Sequence, residues 1–216
     1  MIKSILIITI LISSSLLVVP ISTAVYAASP QLFPSSVNKA LSIKWWQWLL
    51  SIPPDNNPIL DDHPCNVKQS GPFFYLVGSF GGSAERQCTI PTGKSIFFPI
   101  VNVIVTLDKN DPTSDTIPKI KKIASDFINQ ATDLKASVDG VSIKNIGTLR
   151  AQPPAFKLKV PDQNLFGAPA GTYVAVSDGF WVALKPLSVG QHTIHFGAEI
   201  PSNNFKVDVT YHITVQ

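Results

Sequence analysis

Two places in this 216-residue sequence gather side chains that could hold a cation or move a proton. The first is the loop Asp55 to Asn66, DNNPILDDHPCN, where Asp61, Asp62 and His63 offer oxygen and imidazole ligands of the kind divalent metals use. Adjacent ligands on one loop need partners from elsewhere, and the segment holds no complete ligand spacing. Asp and Asn also collect in loops because they form turns, so a solvated loop is the competing reading. The second place follows from alternation near the C-terminus. Ile194 and Phe196 must face inward with Phe205, Val207, Val209, Tyr211, Ile213 and Val215, and a register keeping both sets on one face sets Ile194 opposite Val209. His195 then falls opposite Asp208, Thr193 opposite Thr210 and Gln191 opposite His212. On this register His195, Asp208 and His212 form an outer-face metal or proton-binding patch, although such cross-strand pairs also stabilise sheets without function. His192 points inward beside Tyr211 as a hydrogen-bonded core histidine.

Aromatic rings offer a second chemistry. Trp45, Trp46 and Trp48 cannot share one helix face, and Trp181 lies in a later strand. Exposed and gathered in one groove with Asp61, Asp62 or Arg86, Trp45, Trp46 and Trp181 form a ligand-binding set able to stack on a sugar; buried, they are scaffold. Catalysis is poorly provided for. The sequence has no Gly-x-Ser-x-Gly elbow, His-Glu-x-x-His helix or phosphate loop. A two-carboxylate hydrolase would draw on Glu85, Glu199 and loop aspartates. Glu85 and Arg86, close to Cys88, also read as a structural ion pair.

The compartment is legible at the N-terminus. Lys3, the apolar run Ile5 to Val19 and the small-residue pattern Val25-Tyr26-Ala27 read as a signal peptide over 1–27, leaving 28–216 as a single domain. A retained anchor is the competing reading, but the run is short for a bilayer and Ser13, Ser14 and Ser15 interrupt it. In an exported chain the two cysteines, Cys65 and Cys88, most simply form one disulfide; a thiol metal ligand or an intermolecular bridge is the other use. With 17 basic and 14 acidic residues, the chain has no electrostatic footprint for nucleic acid.

The positioning elements are mostly strands. Around Gly71 to Val105, two apolar runs, Phe73 to Val77 and Ser95 to Val105, read with the segment between them as a three-strand meander carrying Cys88 in its middle strand. Pro99 places the last of these at an edge or at a bulge. Val37 to Ile52, capped by Ser36, and Pro118 to Lys135 read as helices. Asp139-Gly140 and Asp178-Gly179 each sit between apolar runs as hairpin turns. Phe156 to Val160, Gln191 to Phe196 and Phe205 to Val215 complete the strands. The expected fold is mainly β, a β-sandwich of jelly-roll or Ig-like kind with two added α-helices and one disulfide.

One run is specific enough to resemble a family. Gly81-Gly82, Arg86, Cys88, Pro91, Gly93-Lys94, Phe97-Phe98-Pro99 and Asn102 resemble a family of exported single-domain proteins of unassigned function. Trp45-Trp46-Gln47-Trp48, Asn57-Pro58, Gln69, Gly179, Trp181, His192 and Tyr211 extend the resemblance over most of the chain. It implies a single exported domain and supports the disulfide, and it brings no activity or cofactor. The expected function is a non-catalytic binding or interaction domain of the cell envelope or extracellular space. Its partner would be a glycan or another envelope protein, with no nucleic acid and no membrane span once the leader is removed. The alternative is a metal-binding or hydrolytic extracellular enzyme using Asp61, Asp62 and His63 with a divalent metal.

Overall fold

A computed structural model describes residues 29–60, 63–107 and 116–216. The expected leader, 1–27, and the carboxylates Asp61 and Asp62 lie outside the described residues. The described chain is a two-sheet β-sandwich with two α-helices and one disulfide, as expected. Sheet A runs β1 (Phe73–Tyr75), β3 (Ser95–Thr106), β7 (Gly171–Leu184), β6 (Phe156–Val160), and sheet B runs β2 (Gly82–Ile90), β9 (Phe205–Val215), β8 (Gly190–Ile200), β4 (Thr132–Val138), β5 (Val141–Ser142). Helix α1 is Asn38–Leu50 and α2 is Ile117–Ile128.

The two sheets differ in how many faces they bury. Strand β7 is buried at every position from Ala175 to Leu184, the pattern of a strand covered on both sides. Its inner face meets sheet B, where the Phe98 and Phe196 rings lie 4.8 Å apart. Its outer face is covered by α1, with Trp181 stacked on Phe97 at 5.3 Å and edge-on to Trp45 at 5.4 Å. Sheet B instead alternates, and β9 reads half-buried at Asp208, Thr210 and Thr214 and exposed at His212.

That difference explains why the expected meander does not form. β1 pairs with β3, in parallel, and β2 leaves for the other sheet to pair in parallel with β9. The apolar runs of β1 and β3 suit a sheet with no wet face. Ser83, Glu85, Gln87 and Thr89 of β2 need water on one side, which sheet B provides. Gly81 and Gly82, at φ 116° and 79°, turn the chain between them. Pro99 sits at a bulge between Pro99 and Val101, as expected.

The expected hairpin at Asp139-Gly140 forms, with left-handed φ of 51° and 77° joining β4 to β5. The one at Asp178-Gly179 does not: both residues lie inside β7, opposite Val103 and Asn102. Asp178 is 0% exposed and is held by Arg150, whose Nε and Nη2 donate to its two oxygens at 3.0 and 2.8 Å, and by Gln152 Nε2 at 3.1 Å. Gly179 marks a close approach, since a Cβ there would meet Asn102 Cβ and the Val101 oxygen at 2.7 Å. Helix α2 starts as expected, with Thr116 Oγ1 accepting from the Lys119 amide at 3.3 Å. It ends at Ile128 and not at Lys135, because Leu134, Ala136 and Val138 alternate toward the core once β4 pairs with β8. Helix α1 begins from a 3₁₀ turn, Ser35–Val37, without the expected Ser36 side-chain cap.

His192 has inward parity, but it stands opposite Ile213 at the sheet end and not beside Tyr211. Its Nδ1 lies 2.7 Å from Asp139 Oδ2 and its Nε2 2.9 Å from the Ser188 oxygen. Burial pushes this imidazole down, but the Asp139 and Ser188 hydrogen bonds and the Asp139 charge together raise it above the ordinary histidine value.

Two outcomes are expected. Arg150→Met strands the buried Asp178 carboxylate and should cost about 3–5 kcal/mol in urea unfolding, and adding Asp178→Asn to it should recover part of the loss. A raised folded-state pKa makes the His192 contribution complete below the unfolded value of about 6.5, and lost as pH rises through the higher folded value. Unfolding free energy should therefore decline above about pH 6.5, and His192→Gln should flatten that decline.

Candidate functional site

The sequence-predicted polar groups are only partly brought together. Strands β8 and β9 pair two residues away from the expected register, with Ile194 opposite Tyr211 and His195 opposite Thr210. An even shift keeps every side chain on its expected face. His195 still reaches Asp208, diagonally, with Nε2 2.7 Å from Oδ1, while Lys135 takes Oδ2 at 2.6 Å. The Lys135 hydrogen bond, aided by His195 against partial burial, holds the Asp208 carboxyl below its usual range. His212 stands opposite Thr193 and pairs with Glu85 at 2.6 Å. The expected trio is therefore two separate ion pairs on a wet face. His63 is half-buried in the 63–69 loop, and the described residues hold no group of three or more His, Cys, Asp or Glu side chains placed for a metal.

Cys65 and Cys88 are joined, tying that loop to β2. Arg86 does not pair with the Glu85 beside it, whose carboxylate goes to His212 on the other face of β2. The Arg86 guanidinium donates to the Gly78 oxygen at 2.8 Å, the Ile59 oxygen at 3.1 Å and Tyr211 Oη at 3.2 Å. Tyr211 Oη in turn donates to the Val77 oxygen at 3.0 Å, and burial, opposed by Arg86, pushes its phenol up. Arg86 and Tyr211 thus clamp Val77, Gly78 and Ile59 from behind.

Trp45, Trp46 and Trp181 are 1%, 6% and 0% exposed, so they present no open stacking face. Trp45 Nε1 donates to the Leu76 oxygen at 2.8 Å and Trp48 Nε1 to the Val67 oxygen at 3.0 Å. Helix α1 buries Trp45, Trp46 and Trp48 because it is enclosed by the sheet on one side and by Ile59 and Val67 on another. The Trp46 and Trp181 indoles, unlike those of Trp45 and Trp48, have no hydrogen-bond partner among the described residues, and of these two only Trp46 reaches a cleft. It lines a cleft of about 160 Å³ with Trp45, Leu49, Ile59, Gly78, Val103 and Phe127, and the clamped segments form part of the wall. Among the described residues the lining contains no charged side chain. It does contain two buried donors, Trp46 Nε1 and Asn102 Nδ2, that have no hydrogen-bond partner among the described residues. At the mouth stand Phe80 and Phe166, 57% and 51% exposed, with ring centroids 6.5 Å apart. An apolar hollow with a few convergent donors can take a ligand with an apolar body and a hydrogen-bond acceptor.

Sequence reasoning placed Trp46 in a ligand set but did not find Asn102, Phe80 or Phe166. The signal for Asn102 was its position as one polar residue inside the apolar run of β3, and for Phe80 an aromatic residue in a Ser/Gly turn.

No family model matches the sequence, and no curated protein matches it. Among solved structures, the chain is similar to amebosin at 13% identity and a TM-score of 0.24, covering 68% of this chain and 100% of amebosin. It is similar to PbICP-C, solved in complex with falcipain-2, at 9% identity and a TM-score of 0.27, covering 68% of this chain and 100% of the other. A cysteine protease inhibitor from Entamoeba histolytica shows 11% identity and a TM-score of 0.23, covering 67% of this chain and 95% of the inhibitor. Likenesses this loose support no conclusion about function.

Proposed function

We propose that this protein is an exported, non-catalytic binding domain of the cell envelope or extracellular space, and that it takes its ligand in the cleft beside Trp46 and Asn102. The observation that carries the reading is the pair of unpartnered buried donors in a lining whose other polar side chain, among the described residues, is Ser79. An unmade hydrogen bond at a buried donor costs about 1–3 kcal/mol, and an acceptor on a ligand recovers it. Export is supported by the leader pattern over 1–27 and by the Cys65–Cys88 disulfide, a bond that persists in oxidising compartments. Among the described residues no helix is long and apolar enough to cross a membrane.

Gly78 provides a test that leaves the backbone alone. A Cβ there would meet Val207 Cγ2 at 3.9 Å, an ordinary contact, so Gly78→Leu should fill the cleft without strain. The fluorescent probe 8-anilinonaphthalene-1-sulfonate should bind the native protein at one saturable site. Gly78→Leu should weaken that binding at least tenfold while keeping the wild-type melting temperature. Equal binding by a folded Gly78→Leu variant would move the site elsewhere.

A further inference from the structure

Five consecutive residues of β3, Pro99, Ile100, Val101, Asn102 and Val103, line the cleft. Side chains alternate between the faces of a strand, so consecutive residues can share one cavity only where it runs along the strand's edge. The pairing agrees. β1 covers β3 only at Ser95, Ile96 and Phe97, with two flanking bonds, from the Ser95 amide to the Pro72 oxygen and from the Leu76 amide to the Phe97 oxygen, before the chain departs through Gly78. On its other side β3 stays paired with β7 as far as Thr106. Among the described residues, no strand pairs with β3 on the cleft side from Phe98 onward. A second hollow of about 250 Å³ shares Phe166 with the cleft but lies over the outer face of sheet A, lined by Ile104 and Thr106 of β3, Tyr173 of β7 and Leu158 and Val160 of β6.

Sheet edges are normally blunted or covered, because their unpaired N–H and C=O groups template another strand. The protein does this at β1, whose edge is capped by a side chain: Gln69 Oε1 accepts from the Tyr75 amide at 2.9 Å, and Gln69 Nε2 donates to the Tyr75 oxygen at 2.8 Å. No Lys, Arg, Asp or Glu occurs between Ser95 and Leu107 to discourage pairing along β3; Pro99 and its bulge blunt the edge only at its start, before Asn102.

We infer that the uncovered edge of β3, beyond the point where β1 leaves it, binds an extended peptide segment of a partner protein as an added strand. This rests on the reading of the cleft as a binding site. An extended chain offers what the site lacks: backbone groups for the edge, and carbonyls within the lining for the Trp46 and Asn102 donors. The described lining residues, none of them charged, select uncharged side chains at the inward positions, every second residue. A second copy of this chain is the wrong shape. The edge is recessed between Trp46 and Leu49 on one side and Phe127 and Phe205 on the other, and two recessed edges cannot meet in an isologous pair. Phe80 and Phe166 then pack on the segment as it enters.

The test is to pan a phage-displayed library of random dodecapeptides against the full chain purified from an oxidising compartment. The selected peptides are then remade with N-methyl groups at successive amides. The inference expects peptides with apolar residues at alternate positions and at least tenfold weaker binding when every second amide is methylated. It also expects at least tenfold weaker binding to Gly78→Leu, and slowed hydrogen exchange at Asn102 to Val105 in the complex. It is overturned if no peptide is enriched, if methylation at all amides is tolerated, or if Gly78→Leu binds as well as wild type. It is also overturned if the free protein is a dimer with those amides already protected, since a second copy then holds the edge. Retained binding of 8-anilinonaphthalene-1-sulfonate by wild type but not Gly78→Leu, with no peptide enriched, would leave the cleft as a binding site and remove only the added strand.

Discussion

The structure depends on one constraint: the centre of sheet A, where β3 pairs with β7 from Ala175 to Leu184, is dry on both faces, while the edge strand β6 keeps Lys157 and Lys159 in water. A sheet in that position must be apolar on every residue, and each polar group it carries must find a partner inside the protein. Strand β7 obeys the first condition from Ala175 to Leu184, with Ser177, Asp178 and Gly179 as its exceptions. Asp178 meets the second through a bidentate Arg150 and Gln152, a polar knot that also ties the end of α2 to the strand, because Arg150 Nη1 donates to Asn129 Oδ1 at 2.7 Å; Ser177 Oγ and Trp181 Nε1 on the same strand do not meet it, having no hydrogen-bond partner among the described residues. The cover on the outer face is α1, whose three tryptophans supply most of the contact area that a short helix can bring.

The same constraint produces the cleft. Covering sheet A with both α1 and sheet B leaves little room for a long edge strand, and β1 has only three residues before Arg86 and Tyr211 draw the chain away at Val77 and Gly78. The remainder of β3 is then an apolar strand with one unpaired edge, held between the two cores. Trp46 and Asn102 line that gap, each carries a buried polar atom, and neither atom is satisfied by the described residues. A fold that caps the β1 edge with Gln69 and leaves the β3 edge open distinguishes the two, and that distinction is the physical basis for assigning function to the second.

Much of this could be read from the residues, for identifiable reasons. The disulfide, both helices, the Asp139-Gly140 hairpin and the inward face of β9 follow from local rules that the tertiary structure leaves intact. Asp178-Gly179 has the same dipeptide chemistry as a hairpin turn, and only the distant Arg150, 28 positions earlier, makes a straight strand possible there. The exchange of β2 between sheets was visible as polarity, in Ser83, Glu85, Gln87 and Thr89, but its pairing with β9 is a contact across more than a hundred residues that no local pattern encodes. The site was hardest to read. An unpaired strand edge is a property of what does not pair with β3, and Asn102 gains its meaning only from Trp46 on another element.

The central claim, that the Trp46 and Asn102 donors face a ligand cleft, is tested most directly by nuclear magnetic resonance of the ¹⁵N-labelled protein titrated with 8-anilinonaphthalene-1-sulfonate. The account predicts shifts at the Trp46 indole N–H and the Asn102 side-chain amide. The Trp45 and Trp48 indoles, already bonded to the Leu76 and Val67 oxygens, should stay in place. Saturation of the probe with Trp46 and Asn102 unmoved would contradict it.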